Sequence, residues 1–316
     1  MNVIGPDSLV FGVEDMSACA RCLTDYGLTA VDAGANGGTF EALDGTSIVL
    51  RRANDASLPS RLETPSMLRE TVYGVADAAT LEAIGTELSR DRKVARAADG
   101  SLSSVDDSGF ALRFQVTTRR RLVLAPETVN SPGAPPPRGA NHLALEVGAE
   151  FSPRPRTLSH VVYFVPDAAR AEAFYERLGF RTSDRFIGVG PFMRPQGTLD
   201  HHTLFLIQTP PVMKGVEHFT FHMAGPTEVL QAGTRFAAKG YRTFWGPGRH
   251  LLGSNWFWYF NSPFGCHIEY DADMDLHDDT WTAREVAMTP DNTQLFLFEA
   301  RDKWVPTGPP PKQAAA

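Results

Sequence analysis

The sequence predicts an α+β fold built of two tandem halves with the same architecture. Three observations carry this. Four helix patterns recur along the 316 residues, each preceded by a short strand. The first and third patterns superpose without a gap, Asp15-Met16 through Gly27-Leu28 lying on Asp167-Ala168 through Gly179-Phe180 at a constant offset of 152, as internal duplication would leave them. Between the two pairs runs a stretch rich in Pro and Gly that reads as a linker stiffened toward polyproline II.

Taken in order, the first module is a strand at Ser8 to Val13 and a helix from Asp15 to about Tyr26. The second is a strand at Glu70 to Val75 and a helix from Thr80 to about Leu88. The third runs from His160 to Val165, then from Asp167 to about Leu178; the fourth from His218 to Met223, then from Glu228 to about Lys239. Apolar, aromatic and β-branched residues fill each strand. Asp15 and Asp167 suit the N-cap position, and Gly179 and Gly240 suit a left-handed C-terminal cap. In the third helix Ala171, Phe174, Tyr175 and Leu178 form one apolar stripe. The expected organisation is an N-terminal half over residues 1–125, a linker over 126–156, a C-terminal half over 157–290 and a tail over 291–316. The tail contains Pro309-Pro310-Pro311 and a final Ala run, and is expected on the surface or disordered.

Composition narrows the function classes. Hydrophobic residues at 42% and charged residues at 21% describe a soluble globular chain with ample core. A net charge of −7 argues against nucleic acid and anionic membrane as partners. No apolar run approaches the ~20 residues that cross a bilayer, and Met1 to Phe11 lack the basic start of a secretion signal. Three cysteines make no disulfide framework, so a cytoplasmic setting is expected. Cys19-Ala20-Arg21-Cys22 has C-x-x-C spacing without a second pair, and Cys19 and Cys22 overlay Ala171 and Phe174 of the apolar stripe. Core packing is the reading for both. Gly34-Ala35-Asn36-Gly37-Gly38 follows no phosphate-loop pattern and reads as a turn.

Chemistry concentrates between Leu158 and Tyr270. His160, His218 and Glu269 each sit in a strand pattern, separated by 58 and then 51 residues. Two histidines and one carboxylate form the ligand triad that leaves positions open on non-haem Fe(II). His222 and His267 lie an even number of residues from a proposed ligand, and so on the same strand face.

These modules and residues resemble the vicinal oxygen chelate superfamily, and within it the type I extradiol ring-cleaving dioxygenases of the 2,3-dihydroxybiphenyl and catechol 2,3-dioxygenase kind. The resemblance spans nearly the whole chain, with its specific motifs between His160 and Tyr270. It implies four βαβββ modules forming two tandem barrel domains, with metal only in the second. It also favours His160, His218 and Glu269 as ligands, leaving His222 and His267 for outer contacts or packing. The repeat supplies an internal control: His160 falls opposite Ser8, His218 opposite Thr71 and Glu269 opposite Arg113, so the N-terminal half lacks all three ligands.

The resemblance extends to Asp200-His201-His202-Thr203-Leu204, which implies that His202 stands beside the oxygen site, with His201 its neighbour. Gly248-Arg249-His250, followed by Tyr259, implies that His250 and Tyr259 hydrogen-bond the substrate hydroxyls. Leu251-Leu252-Gly253 departs from the polar residues common there, which leaves the substrate open. In Trp256-Phe257-Trp258-Tyr259-Phe260, alternate residues take opposite faces, and one face is expected to line an aromatic pocket; Phe186 and Pro263 are further candidate walls. The implied activity is extradiol (meta) cleavage of a catecholic substrate by O2 at Fe(II), with Mn(II) as the alternative ion, in a homo-oligomeric catabolic enzyme. Alternatives within the superfamily are a 2-oxo-acid-dependent or hydroquinone-cleaving dioxygenase, or a non-catalytic small-molecule binder.

Overall fold

The computed structural model describes residues 1–144 and 151–298. The first module is β1 (Val3–Val13), α1 (Met16–Tyr26), β2 (Thr29–Gly34), β3 (Gly37–Glu41) and β4 (Ser47–Arg52). The second is β5 (Leu68–Val75), α2 (Ala78–Leu88), β6 (Ala95–Arg96), β7 (Leu102–Val105) and β8 (Ala111–Val116). The third is β9 (Thr157–Val165), α3 (Ala168–Arg177), β10 (Phe180–Ile187), β11 (Gly190–Pro195) and β12 (Leu204–Gln208). The fourth is β13 (Gly215–His222), α4 (Pro226–Ala238), β14 (Thr243–Arg249), β15 (Trp256–Asn261) and β16 (His267–Ala272). All four read β-α-β-β-β.

Within each module the first strand pairs parallel with the last, and the two modules of a half join through their first strands, antiparallel. The result is one sheet ordered β2-β3-β4-β1-β5-β8-β7-β6 and a second built the same way. Asp15, Asp77 and Asp167 each accept a backbone N–H from the first helical turn. The Asp77 cap starts α2 two residues before the sequence pattern, and Pro226 at the first position does the same for α4. Gly179 and Gly240, at φ of 87° and 96°, end α3 and α4 as expected.

The second sheet carries an extension. β17 (Arg284–Ala287) pairs with β10 at one edge, α5 (Pro290–Thr293) follows, and β18 (Phe296–Leu297) pairs with β14 at the other. The segment 284–298 thus ties both edges of a curled sheet together. Residues 117–156 hold no helix or strand among the described residues, and Pro309 to Ala316 lie outside them.

The apolar faces of the two halves pack into one continuous core, with Cys19, Cys22 and the α3 stripe inside it. Phe11 lies 5.5 Å from Phe219, Tyr26 stacks on Tyr270 at 4.0 Å, and Phe110 stacks on Tyr163 at 4.4 Å.

Candidate metal centre

β9, β13 and β16 are consecutive strands at the middle of the second sheet. Their register puts Thr220 opposite His160 on one side and opposite Glu269 on the other. His218, two residues earlier on β13, shares that face. The ligand atoms converge: His160 Nε2 is 3.2 Å from His218 Nε2 and 3.2 Å from Glu269 Oε2, and His218 Nε2 is 3.4 Å from Glu269 Oε2. All three side chains are buried. Thr220 Oγ1 donates to Glu269 Oε2 and lies 2.9 Å from His160 Nε2.

Both imidazoles are held by their other nitrogen. Ser159 Oγ lies 2.8 Å from His160 Nδ1, and the Glu217 carboxylate pairs with His218 Nδ1. That leaves the Nε2 lone pairs facing each other, the tautomer a metal needs. Glu217 precedes His218 and would point to the opposite face of a regular strand. A β-bulge between Val216 and His218 re-aims it. His267 Nδ1 bonds the other Glu217 oxygen at 2.7 Å, and His222 Nδ1 lies 2.7 Å from Asp271, which accepts from Ser159. His267 and His222 therefore stand one step behind the candidate triad.

The electrostatics fit a cation. Burial pushes the Glu269 carboxyl up, but His160 and His250 beside it and the charge of His160 and His218 hold it well below the usual carboxylate range. Burial lowers His160. Burial also acts to lower His218, and Glu217 outweighs it and raises it. Glu269 Oε1 is buried with no hydrogen-bond partner, its neighbour His250 Nε2 standing 3.6 Å off. A carboxylate whose Oε2 faces two imidazole Nε2 atoms, and whose Oε1 is left without a partner, is what a divalent ion would satisfy. A six-coordinate ion with bonds of about 2.1 Å sets adjacent donors about 3.0 Å apart, close to the observed spacings.

The remaining predicted residues surround a cavity of about 320 Å³ that opens onto this cluster and is lined by His160, His202, His218, His250 and Tyr259. His202 precedes β12, its ring 4.3 Å from that of His160. Its Nδ1 is 3.0 Å from His201 Nδ1, and His201 Nε2 is 2.8 Å from Asp184 Oδ2. Asp184, ionised, fixes the proton of His201 on Nε2; His201 Nδ1 then accepts from His202, whose Nε2 is left as the basic nitrogen on the cavity. Burial, then the neighbouring His160, lowers His202 well below the usual histidine range, so it is neutral. His250 Nδ1 donates to the Thr293 carbonyl at 3.0 Å, and the Tyr259 hydroxyl meets His250 Nε2 at 3.1 Å. Burial and then Glu269 raise Tyr259 well above the usual phenol range, so it keeps its proton.

Asp184, His201 and His277 also cluster. Arg284 Nη2 sits 2.5 Å from Asp184 Oδ2 and occupies the place of a cation there. Phe186 and Tyr259 line the cavity; Trp258 packs with Phe260 on the other face of β15. Pro263 does not line it: it is half-buried, and its carbonyl accepts from Cys19 Sγ at 3.9 Å. Sequence reading missed Glu217, Ser159, Thr220, Asp184 and Thr293. Only Glu217 and Ser159 carried a hint, being adjacent to a ligand.

One correction concerns the repeat. Ser8 pairs with Val72 and Val72 with Arg113, as His160 pairs with Thr220 and Thr220 with Glu269. The residue equivalent to His218 is therefore Glu70, not Thr71, a slip of one that swaps faces. Thr71 instead bonds the Tyr163 hydroxyl at 2.5 Å in the core. Glu70 meets Arg113 at 3.0 Å, so an ion pair stands where the second half gathers ligands.

Residues 157–270 match the model of the Glyoxalase/Bleomycin resistance protein/Dioxygenase superfamily. Over 122 residues the chain is 43% identical to metapyrocatechase 2 of Cupriavidus necator, a match that spans 38% of this chain and 38% of that relative. Solved structures align across nearly the whole chain. The Mn(II)-bound glyoxalase from Novosphingobium aromaticivorans gives a TM-score of 0.71 at 21% identity, covering 93% of this chain and 91% of its own. 2,2',3-Trihydroxybiphenyl 1,2-dioxygenase from Sphingomonas wittichii gives 0.69 at 18%, covering 95% and 100%. Homoprotocatechuate 2,3-dioxygenase from Arthrobacter globiformis gives 0.68 at 18%, covering 93% and 88%. At these identities the structures share the fold of two tandem βαβββ pairs.

Proposed function

We propose that the protein cleaves a catecholic ring by extradiol (meta) addition of O2 at a non-haem Fe(II) held by His160, His218 and Glu269; the match of residues 157–270 to the model of the Glyoxalase/Bleomycin resistance protein/Dioxygenase superfamily supports this reading. The observation that carries this is the buried triad with its orphaned Glu269 oxygen, opening onto a cavity that also presents His202, His250 and Tyr259. Mn(II) is the alternative ion for the same donor set. The likeness to metapyrocatechase 2 over 122 residues supports the same reading, and the family-model match, residues 157–270, spans the triad.

Bound there, Fe(II) supplies open positions that bring both substrate oxygens and O2 together and a path for electron density from ring to oxygen. The protein's own groups do the rest. His250 Nε2, an acceptor because Nδ1–H is committed to Thr293, is placed to take a hydroxyl proton from the substrate. Tyr259, protonated, donates to the substrate oxygen beside it. His202, kept neutral by burial, offers its Nε2 lone pair to the cavity as a hydrogen-bonding partner beside the oxygen position, and a proton taken up there is readily given back during ring opening. Met288 and Thr293, from the segment joining the sheet edges, line the cavity and exclude water.

The test is oxygen uptake by anaerobically Fe(II)-loaded protein with catechol and substituted catechols. A yellow ring-opened product is expected, with metal binding lost in His218→Ala and Glu269→Ala by elemental analysis. One equivalent of tightly bound Fe(II) without uptake on any catechol would sink the reading.

A further inference from the structure

We propose that the cavity selects catechols whose ring substituent is uncharged and apolar, alkyl or aryl, and rejects those carrying a carboxylate. This rests on the catechol reading above and adds the substrate class. The cavity has two unlike ends. The polar end is the triad with His202, His250 and Tyr259. The rest of the wall is a hydrophobic cluster separate from the main core, made by Val162, Phe186, Phe192, Phe205 and Leu252 with Ile207 against it, and Phe192 meets the polar end at His202, ring to ring 5.0 Å. Phe192 and Phe205 stack at 3.8 Å and 11°, presenting a fixed aromatic surface rather than adaptable side chains.

Small clusters beside a main core are common; what distinguishes this one is that its residues line the cavity onto which the triad opens, so the substituent of a ring held there would meet them.

Charge points the same way. Among the described residues no Lys or Arg lines this cavity. The arginines near it are engaged elsewhere, Arg284 with Asp184 and Arg249 with Asp273. The ionisable acids on or beside the cavity are Glu217 and Glu269. Its unpartnered polar atom away from the triad, Asn255 Oδ1, is an acceptor. A carboxylate there meets no donor, faces like charge and loses its water. An apolar substituent meets Phe192, Phe205 and Leu252. Each added methylene is expected to raise affinity about fourfold, the equivalent of about 0.8 kcal/mol.

The experiment compares catechol, 3-methylcatechol and 2,3-dihydroxybiphenyl with 2,3-dihydroxybenzoate and 3,4-dihydroxyphenylacetate. Two readouts are taken: anaerobic dissociation constants, followed by the fluorescence of Trp245 on the cavity wall with and without Fe(II), and kcat/KM of the Fe(II)-loaded protein. The expected order puts the alkyl or aryl catechols about tenfold or more above catechol, and the carboxylated ones about a hundredfold below it. Ile207→Lys, at the half-buried rim, is expected to narrow the gap to the carboxylated catechols, whereas Ile207→Gln is not. Turnover of catechol with no preference, or with the carboxylated compounds ahead, overturns the substrate class and leaves the ring-cleavage reading standing. Binding and turnover of none of the five overturns both.

Discussion

At the residue scale, His202 depends on two side chains that never touch the cavity. Asp184 holds His201, and His201 holds His202 by Nδ1. Asp184→Asn is expected to lower kcat about tenfold or more, since the orienting charge of the chain is lost, while bound metal per chain stays the same; loss of metal as well would show that the chain is only structural. A second residue predicts a pH effect. Asp106 accepts from Ser108 N, Phe110 N and the Tyr175 hydroxyl, yet burial pushes its carboxyl up to about 6. The folded chain then keeps a proton that the unfolded chain releases near pH 4. Stability from this group is present below that pH and is lost as pH rises to about 6, a fall of about 3 kcal/mol. Chemical denaturation of Asp106→Asn across this range is expected to give a flatter profile than the parent chain.

Among the elements, β13 matters most. Its bulge puts Glu217 and His218 on speaking terms, although neighbours on a strand normally face apart. Glu217 then serves both His218 and His267, and its own carboxyl, which burial would raise, is drawn down to about 2 by His218 first and His267 second. Glu217→Gln is expected to weaken metal affinity about 10–100-fold, as loss of a carboxylate behind a ligating imidazole does; competition with a chelator measures it. Equal affinity in both chains would mean that Ser159 and strand geometry alone orient the ligands. The corresponding strand of the first half, β5, turns Glu70 toward its own cavity and Thr71 toward the core. A pattern of period 2 tolerates no error of one.

For the whole molecule, the two halves share a core across which Tyr26 of α1 stacks on Tyr270 of β16 and donates to the Glu269 carbonyl. The first half thus braces the strand that carries Glu269 of the proposed triad. A single cooperative unfolding transition is expected, and Tyr26→Ala should cost about 3–5 kcal/mol and lower Tm by about 5–8 °C. Calorimetry showing two separate transitions would contradict a shared core. Among the described residues no helix is long and apolar enough to cross a membrane.

The sequence by itself determined the four modules, because strand composition, helix stripes and caps are local, and because duplication leaves an offset that needs no coordinates. His160, His218 and Glu269 were legible as candidates because each sits in a strand pattern, but alternation puts His222 and His267 on the same face, and the resemblance chose between them. His202, His250 and Tyr259 were legible only through the resemblance, and in the structure they do meet around one cavity. What the tertiary structure decided was every feature that rests on register or on distance along the chain. The bulge that turns Glu217 inward and the pairing that makes Glu70 rather than Thr71 the counterpart of His218 are set by hydrogen bonding between strands. Asp184 behind His201 and Thr293 behind His250 come together across 17 and 43 residues. Nothing in the local sequence encodes such contacts, since they exist only once the curled sheet brings its two edges to the same cavity.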